Sequence, residues 1–177
     1  HTLSRKNYND KDAGRIKYDL STAIENECKV ILHGYSSSHG GDLRDRNVEP
    51  FAFTKGQKHV WCYDLDDNKN KLFSTSRISN VEILDEKWAH KGEHKELNVD
   101  VFNMIGSNPI HIILQLDMMS KNLLVEEFSM ARNDLYQIDD EHWQLETEVY
   151  SLEGIGRFYL GLAEHIQIID GEELKKY

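Results

Sequence analysis

Hydrophobic and polar positions change rhythm along the chain, and each rhythm predicts a different kind of element. Ile16, Leu20, Ala23 and Ile24 recur at helical spacing, which predicts one short amphipathic helix behind a polar, aperiodic stretch over 1–11. Residues 28–35 are rich in β-branched and apolar side chains and read as a strand. After the Ser- and Gly-rich turn of Ser36–Gly41, strand-like runs follow closely at 46–49, 51–54, 59–64, 71–74 and 81–84, with Lys55-Gly56-Gln57 and Asp66–Asn70 as turn chemistry between them. Pro50 interrupts the run and predicts a bend or an edge. Five or six short strands at this spacing predict a small barrel or rolled sheet.

From residue 90 the pattern changes. Residues 90–96 contain no apolar side chain and read as a solvated linker. Beyond them the chain predicts a short helix over 97–105 closed by Gly106, a strand over 110–118, and a helix from a Ser120 cap to about Met130. Two strands at 135–138 and 143–150 follow, joined by Asp139-Asp140-Glu141. A helix over 152–163, weakened by Gly154, Gly156 and Gly161, leads to a last strand at 166–169. The order β-α-β-β-α-β is the split pattern of a ferredoxin-like unit. The expectation is therefore an α+β chain in three parts: a polar or disordered segment over 1–15, a β-barrel with an N-terminal helix over 16–90, and the ferredoxin-like unit over 97–177.

Charge sharpens this division. Residues 1–90 hold 14 Lys/Arg against 14 Asp/Glu, and residues 91–177 hold 7 against 17, so the net −10 resides in the second half. An acidic half repels phosphate and is excluded as a DNA-gripping face. A length of 177 residues suits one ordinary domain or two small ones, large enough to do without a metal or disulfide staple. Cys28 and Cys62 match no metal spacing and read as small buried thiols of a reducing compartment. No stretch reaches the roughly 18 apolar residues that cross a bilayer, and no basic-then-apolar signal opens the chain. A cytoplasmic location without membrane contact is expected.

The sequence offers little catalytic chemistry. His90-Lys91-Gly92-Glu93-His94 matches the H-x-x-E-H zinc pattern, but a mid-motif glycine and charged neighbours leave no apolar face to bury, and the linker reading prevails. Ser36–Ser38 lacks a nucleophile elbow, and Gly34, Gly40 and Gly41 lack the lysine and helix of a phosphate loop. Trp61, Trp88 and Trp143 read as core fillers. No metal, no cofactor and no enzyme activity are expected.

The arginines stand out. A single arginine ordinarily pairs with a nearby carboxylate, here Asp42, Asp45, Glu49 or Asp64, and Arg44 is the one expected to be solvated. Arg46 and Arg77, however, lie on segments that a small closed sheet brings near each other and near Tyr35. Arg44, Ser76 and Tyr63 fall at the rim of the same patch. A guanidinium takes phosphate or carboxylate with two prongs, and a tyrosine adds a stacking face and a hydroxyl. Such a pocket suits a nucleotide or a short single strand, and it lacks a general base.

These residues resemble those of the WYL-domain proteins, bacterial transcriptional regulators with an Sm-like, SH3-type barrel. The likeness rests on the helix ending Ala23-Ile24, the strand ending at Tyr35, Arg46-x-Val48-Glu49-Pro50, and Phe73 through Ser76-Arg77-Ile78 to Val81. The acidic half is similar to the WCX extension that follows this barrel, so the resemblance covers nearly the whole chain. Counting back from Arg77, the name-giving triplet falls on Lys58-His59-Val60, while Trp61-Cys62-Tyr63 is the visible substitute. The resemblance implies a sensor of nucleotides or nucleic acid, joined to an extension that makes homodimer contacts. Duplex DNA would be read only by a winged helix-turn-helix, which no segment before residue 16 predicts. The alternative is a structural or protein-interaction module whose arginines pair on the surface.

Overall fold

A computed structural model describes residues 10–37 and 41–176, and it is an α+β structure: an N-terminal helix and two antiparallel sheets. The described residues fall into two compact units, one ending at Glu96 and the other beginning at Leu97. Residues 1–9 and Ser38, His39 and Gly40 of the predicted turn lie outside the described residues.

The first unit opens with α1 (Asp10–Glu25). Part of the segment expected to be polar and aperiodic is thus helical. Ile16, Leu20 and Ala23 lie on one side of α1 and are buried against the sheet, with Ile24 packed at the margin. Five strands follow: β1 (Cys28–Ser36), β2 (Leu43–Phe53), β3 (His59–Asp64), β4 (Lys69–Ser74) and β5 (Asn80–Lys87), in the spatial order β4-β3-β2-β1-β5. Val30, Leu32, Val48, Val60, Cys62 and Phe73 point to the core that α1 covers.

Two irregularities set which side chains face inward. In β1 the register shifts between Leu32 and Tyr35. Gly34 sits there at φ +59, where an added Cβ would crowd Ser79. The extra residue reverses the alternation, so that Tyr35 and not Gly34 joins Leu32 on the core face. In β2 the two predicted runs are one strand, with Pro50 in the centre of the sheet, neither at an edge nor at a break. It is accommodated by a second register shift, between Pro50 and Ala52, where a missing N–H disrupts the ladder least.

The second unit contains β6 (Ile110–Leu116), α2 (Met118–Glu127), β7 (Leu135–Gln137), β8 (Trp143–Val149), α3 (Leu152–Gly161) and β9 (Ile166–Asp170). Its strand order is β7-β8-β6-β9. Ile112, Leu114 and Leu116 of β6 and Leu145 and Val149 of β8 form its core with Leu124, Ile155 and Phe158 of the helices. The cap of α2 is Asp117, not Ser120. Ser120 occupies the third helical position and completes a capping box, its Oγ receiving the Asp117 N–H while its own N–H donates to Asp117 Oδ1.

The helix predicted over 97–105 is absent. Instead Val99 and Ile105 form a β-bridge across a tight turn. The buried Asp100 carboxylate accepts the N–H groups of Phe102 (2.8 Å), Met104 (3.0 Å) and Tyr150 (2.9 Å). A short acidic side chain offers the backbone these partners outside a helix, and Asn103 takes a left-handed φ of 63 to close the turn. Gly171 sits at φ +110, and a Cβ there would run into Ile112 Cδ1 in the core. Gly171→Ala is expected to cost about 1–3 kcal/mol, read as a lower urea midpoint at unchanged slope. Among the described residues no helix is long and apolar enough to cross a membrane.

Candidate ligand site on the first sheet

Directly opposed residues of antiparallel strands share a face. Leu32 opposes Arg46, Tyr35 opposes Arg44, and Val48 opposes Asp64. Since Leu32, Tyr35 and Val48 belong to the core, Arg44 and Arg46 stand on the core face of β2, where it runs past the end of β3. The register thus brings Arg44, Arg46 and Tyr35 together. Tyr35 is mostly buried, meets Phe73 edge to face at 5.0 Å, and accepts the Ser74 N–H at 3.1 Å. Arg44 is exposed and lies 3.9 Å from Asp42. Arg46 is half-buried, and its Nε is buried with no hydrogen-bond partner. Among the described residues, Arg46 forms no ion pair.

Asp42 apart, the carboxylates expected to neutralise the arginines have other partners. Asp64 is fully buried, accepts the N–H groups of Asp66 (2.9 Å) and Asp67 (3.3 Å), and holds Lys71 Nζ at 2.6 Å. Lys71 also bonds Asp67. The Asp67 carboxyl is held below its ordinary pKa, first by that bond and the charge of Lys71, with Arg46 adding to the pull. Asp45 pairs with His33 at 3.1 Å on the outer face.

Ser76 and Arg77 follow the Ser74 that donates to Tyr35, whereas Tyr63 stands on the other face. Ser76 and Arg77 are exposed, in the turn after β4, and Ser76 Oγ lies 3.0 Å from Ser74 Oγ. Arg77 acts on His59, whose imidazole is held below its ordinary pKa by burial first and then by the charges of Arg77 and Lys58. Ser74, which precedes this turn, opposes His59 and donates its N–H to Tyr35, so the turn bearing Arg77 lies on the Tyr35 side of the sheet. Tyr63 opposes Glu49 on the face away from Arg46. Of the two triplet candidates, Lys58-His59-Val60 enters β3 and Trp61-Cys62-Tyr63 forms its middle, with Trp61 and Tyr63 buried on the outer face and Cys62 in the core.

That outer face carries the largest departure from expectation. Residues 88–94 do not form a solvated linker. They lie as a strap across β2 and β3, and His94 keeps only 7% of its side chain exposed. Its anchor is Glu49, fully buried, whose Oε1 accepts the Ala89 N–H (2.6 Å) and pairs with His90 Nδ1 (3.2 Å). Oε2 accepts the His90 N–H (3.2 Å) and pairs with His94 Nε2 (2.8 Å). His90 stacks on Tyr63 at 4.8 Å, His94 stacks on Phe51 at 4.7 Å, and Trp88 meets His94 edge-on at 4.7 Å. The Tyr63 hydroxyl donates to Glu93 at 2.7 Å, which with burial raises its pKa. Imidazole rings supply a stacking surface here that a hydropathy pattern does not register. Glu93 of the zinc pattern faces Tyr63, and among the described residues no cluster of His, Cys, Asp and Glu has metal-binding geometry.

One further constellation resembles a triad in composition only. His165 Nδ1 lies 2.5 Å from Asp117 Oδ2, but Ser120 Oγ donates to Asp117 and to the His165 carbonyl, and so completes a helix cap and does not engage the imidazole.

No protein-family model matches the chain, and no curated protein matches it. Among solved structures, the chain is similar to proteasome accessory factor B/C (PafBC) of Arthrobacter aurescens, with a TM-score of 0.39 and 16% identity over 93% of this chain and 26% of that one. The chain spans about a quarter of the length of that protein, and at this score the likeness carries no argument about function.

Proposed function

We propose that the first unit is the ligand-sensing barrel of a cytoplasmic, WYL-type transcriptional regulator and that the second is its ferredoxin-like extension. The motif order from Ala23 to Val81 supports this reading. So do a helix followed by five strands in the order β4-β3-β2-β1-β5, and a βαββαβ unit ordered β7-β8-β6-β9. The module is non-enzymatic. It takes the phosphate of a nucleotide or short single strand on Arg46, with Arg44 and Tyr35 beside it.

The observation that carries the reading is the Arg46 Nε, buried without a partner. An unmet donor on a charged group costs more than the roughly 1–3 kcal/mol of a neutral one, and an anionic oxygen would satisfy it. Arg46→Ala is expected to remain folded and to bind a single-stranded oligonucleotide about ten- to a hundredfold more weakly by fluorescence anisotropy. Unchanged affinity in a folded variant would remove the proposal. Arg77→Ala, titrated in parallel, reports whether the strand also reaches the turn after β4. Binding through several phosphates should also weaken steeply between low and moderate salt, whereas an apolar protein contact would hardly respond.

A second reading, that the extension mediates homodimer contact, draws on Met118, Met119 and Leu123 of α2 and Met130 after it, all of which are exposed. A monomer mass in sedimentation across the micromolar range would defeat it.

A further inference from the structure

The second unit holds a cleft of about 500 Å³ bounded by α2, the turn after it, β7 and β8, and lined among others by Lys121, Arg132, Leu135, Gln137 and Trp143. It is a shallow, open cleft of a size that admits a small molecule, with Arg132 and Gln137 exposed at its edge. Residues 97–177 carry 5 Lys/Arg (Lys121, Arg132, Arg157, Lys175, Lys176) against 15 Asp/Glu, so two of the unit's five cations meet in this one cleft. Glu126 also lines the cleft, yet among the described residues neither Lys121 nor Arg132 pairs with a carboxylate. Lys121 Nζ donates to Asn122 Oδ1 at 2.6 Å and stands 4.7 Å from the centroid of the half-buried Trp143 ring.

We infer that this cleft binds a small planar anion: an aromatic or heteroaromatic ring bearing a carboxylate or a phosphate. The indole supplies a stacking face, and Leu135 extends its apolar surface. Arg132 offers a planar fork for two oxygens, and Gln137 offers an amide that both donates and accepts. The ammonium over the indole occupies the position a ring would take. A cation–π contact at an exposed site is weak, so an incoming ring displaces Lys121 readily and leaves it free to meet the ligand's anion. The surrounding negative charge disfavours extended polyanions, which selects a small ligand over a nucleic-acid strand.

The test is a titration of the full chain followed by Trp143 fluorescence, with Trp143→Phe marking the contribution of Trp61 and Trp88. Nicotinate and adenosine monophosphate carry both features and separate the carboxylate from the nucleotide source. Adenosine lacks the charge, and inorganic phosphate lacks the ring. Saturable quenching is expected with at least one of the first two probes, weakened about ten- to a hundredfold by Arg132→Ala or Lys121→Ala and untouched by Arg46→Ala. That last variant separates this cleft from the proposed site on the first sheet. Absence of saturable quenching, equal binding of phosphate alone, or binding that survives the Lys121→Ala/Arg132→Ala double substitution would each overturn the inference.

Discussion

Glu49→Ala is expected to destabilise the first unit by about 3–5 kcal/mol, the scale on which a buried, hydrogen-bonded charge partner is lost. The substitution removes one side chain but leaves four groups without an acceptor: the N–H groups of Ala89 and His90, His90 Nδ1 and His94 Nε2. His94 has the least access to water, being held against Phe51 and Trp88 with 7% of its side chain exposed. Trp88 reports the change directly, because it meets His94 and donates from its indole N–H to the Cys28 carbonyl at 3.1 Å. A urea midpoint equal to that of the parent chain would mean that the strap contributes nothing.

The same carboxylate gives the unit a dependence on acid. Burial opposes ionisation of Glu49, but the bonds from Ala89, His94 and His90 outweigh it, and its pKa is lowered in the folded chain. A group with a lowered native pKa contributes stability that is complete above its unfolded value and is lost as pH falls through the native one. Stability should therefore fall below the ordinary glutamate range. In Glu49→Gln, which is less stable at neutral pH, that part of the decline should disappear.

In the second unit the largest loss is expected from Asp100→Ala, about 2–4 kcal/mol. Three backbone N–H groups lose their acceptor at once, and Phe102, which one of them positions, meets Phe128 edge to face at 4.9 Å in the core. Asp100→Asn keeps one accepting oxygen and should lose less. Hydrogen exchange at Phe102, Met104 and Tyr150 measures the effect amide by amide. Protection equal to that of the parent chain in Asp100→Ala would exclude the carboxylate as the clasp of this turn.

These two carboxylates also mark where the sequence was legible. Strands of the first unit and the split order of the second were readable because Val30, Leu32, Val60 and Cys62, and likewise Ile112, Leu114 and Leu116, alternate cleanly toward a core. Trp61 and Tyr63, with the half-buried Phe51, form a second face whose cover comes from residues 88–94, a segment with one indole and two imidazoles. Hydropathy alone scores that cover as solvent-facing. The helix expected over 97–105 fails for a related reason, since its apolar spacing is genuine but a polar side chain, Asp100, satisfies the backbone better as a turn.

Of the candidate ligand residues, Arg46 and Tyr35 were legible together because a small closed sheet brings their two strands side by side. The wider pocket was drawn from strand adjacency without register. A bulge at Gly34 and the parity of Tyr63 with Glu49 follow from hydrogen-bond pairing that one chain's sequence does not display.

Because the strap lies on the first unit's own sheet, a protease nick or a shortened fragment ending near Lys87 would not yield a clean half-molecule. Trp61 and Tyr63 would be laid bare to water beside an ionised Glu49 stripped of its histidines, and such a surface invites clumping. Any dissection of the chain into halves should therefore be made after Glu96.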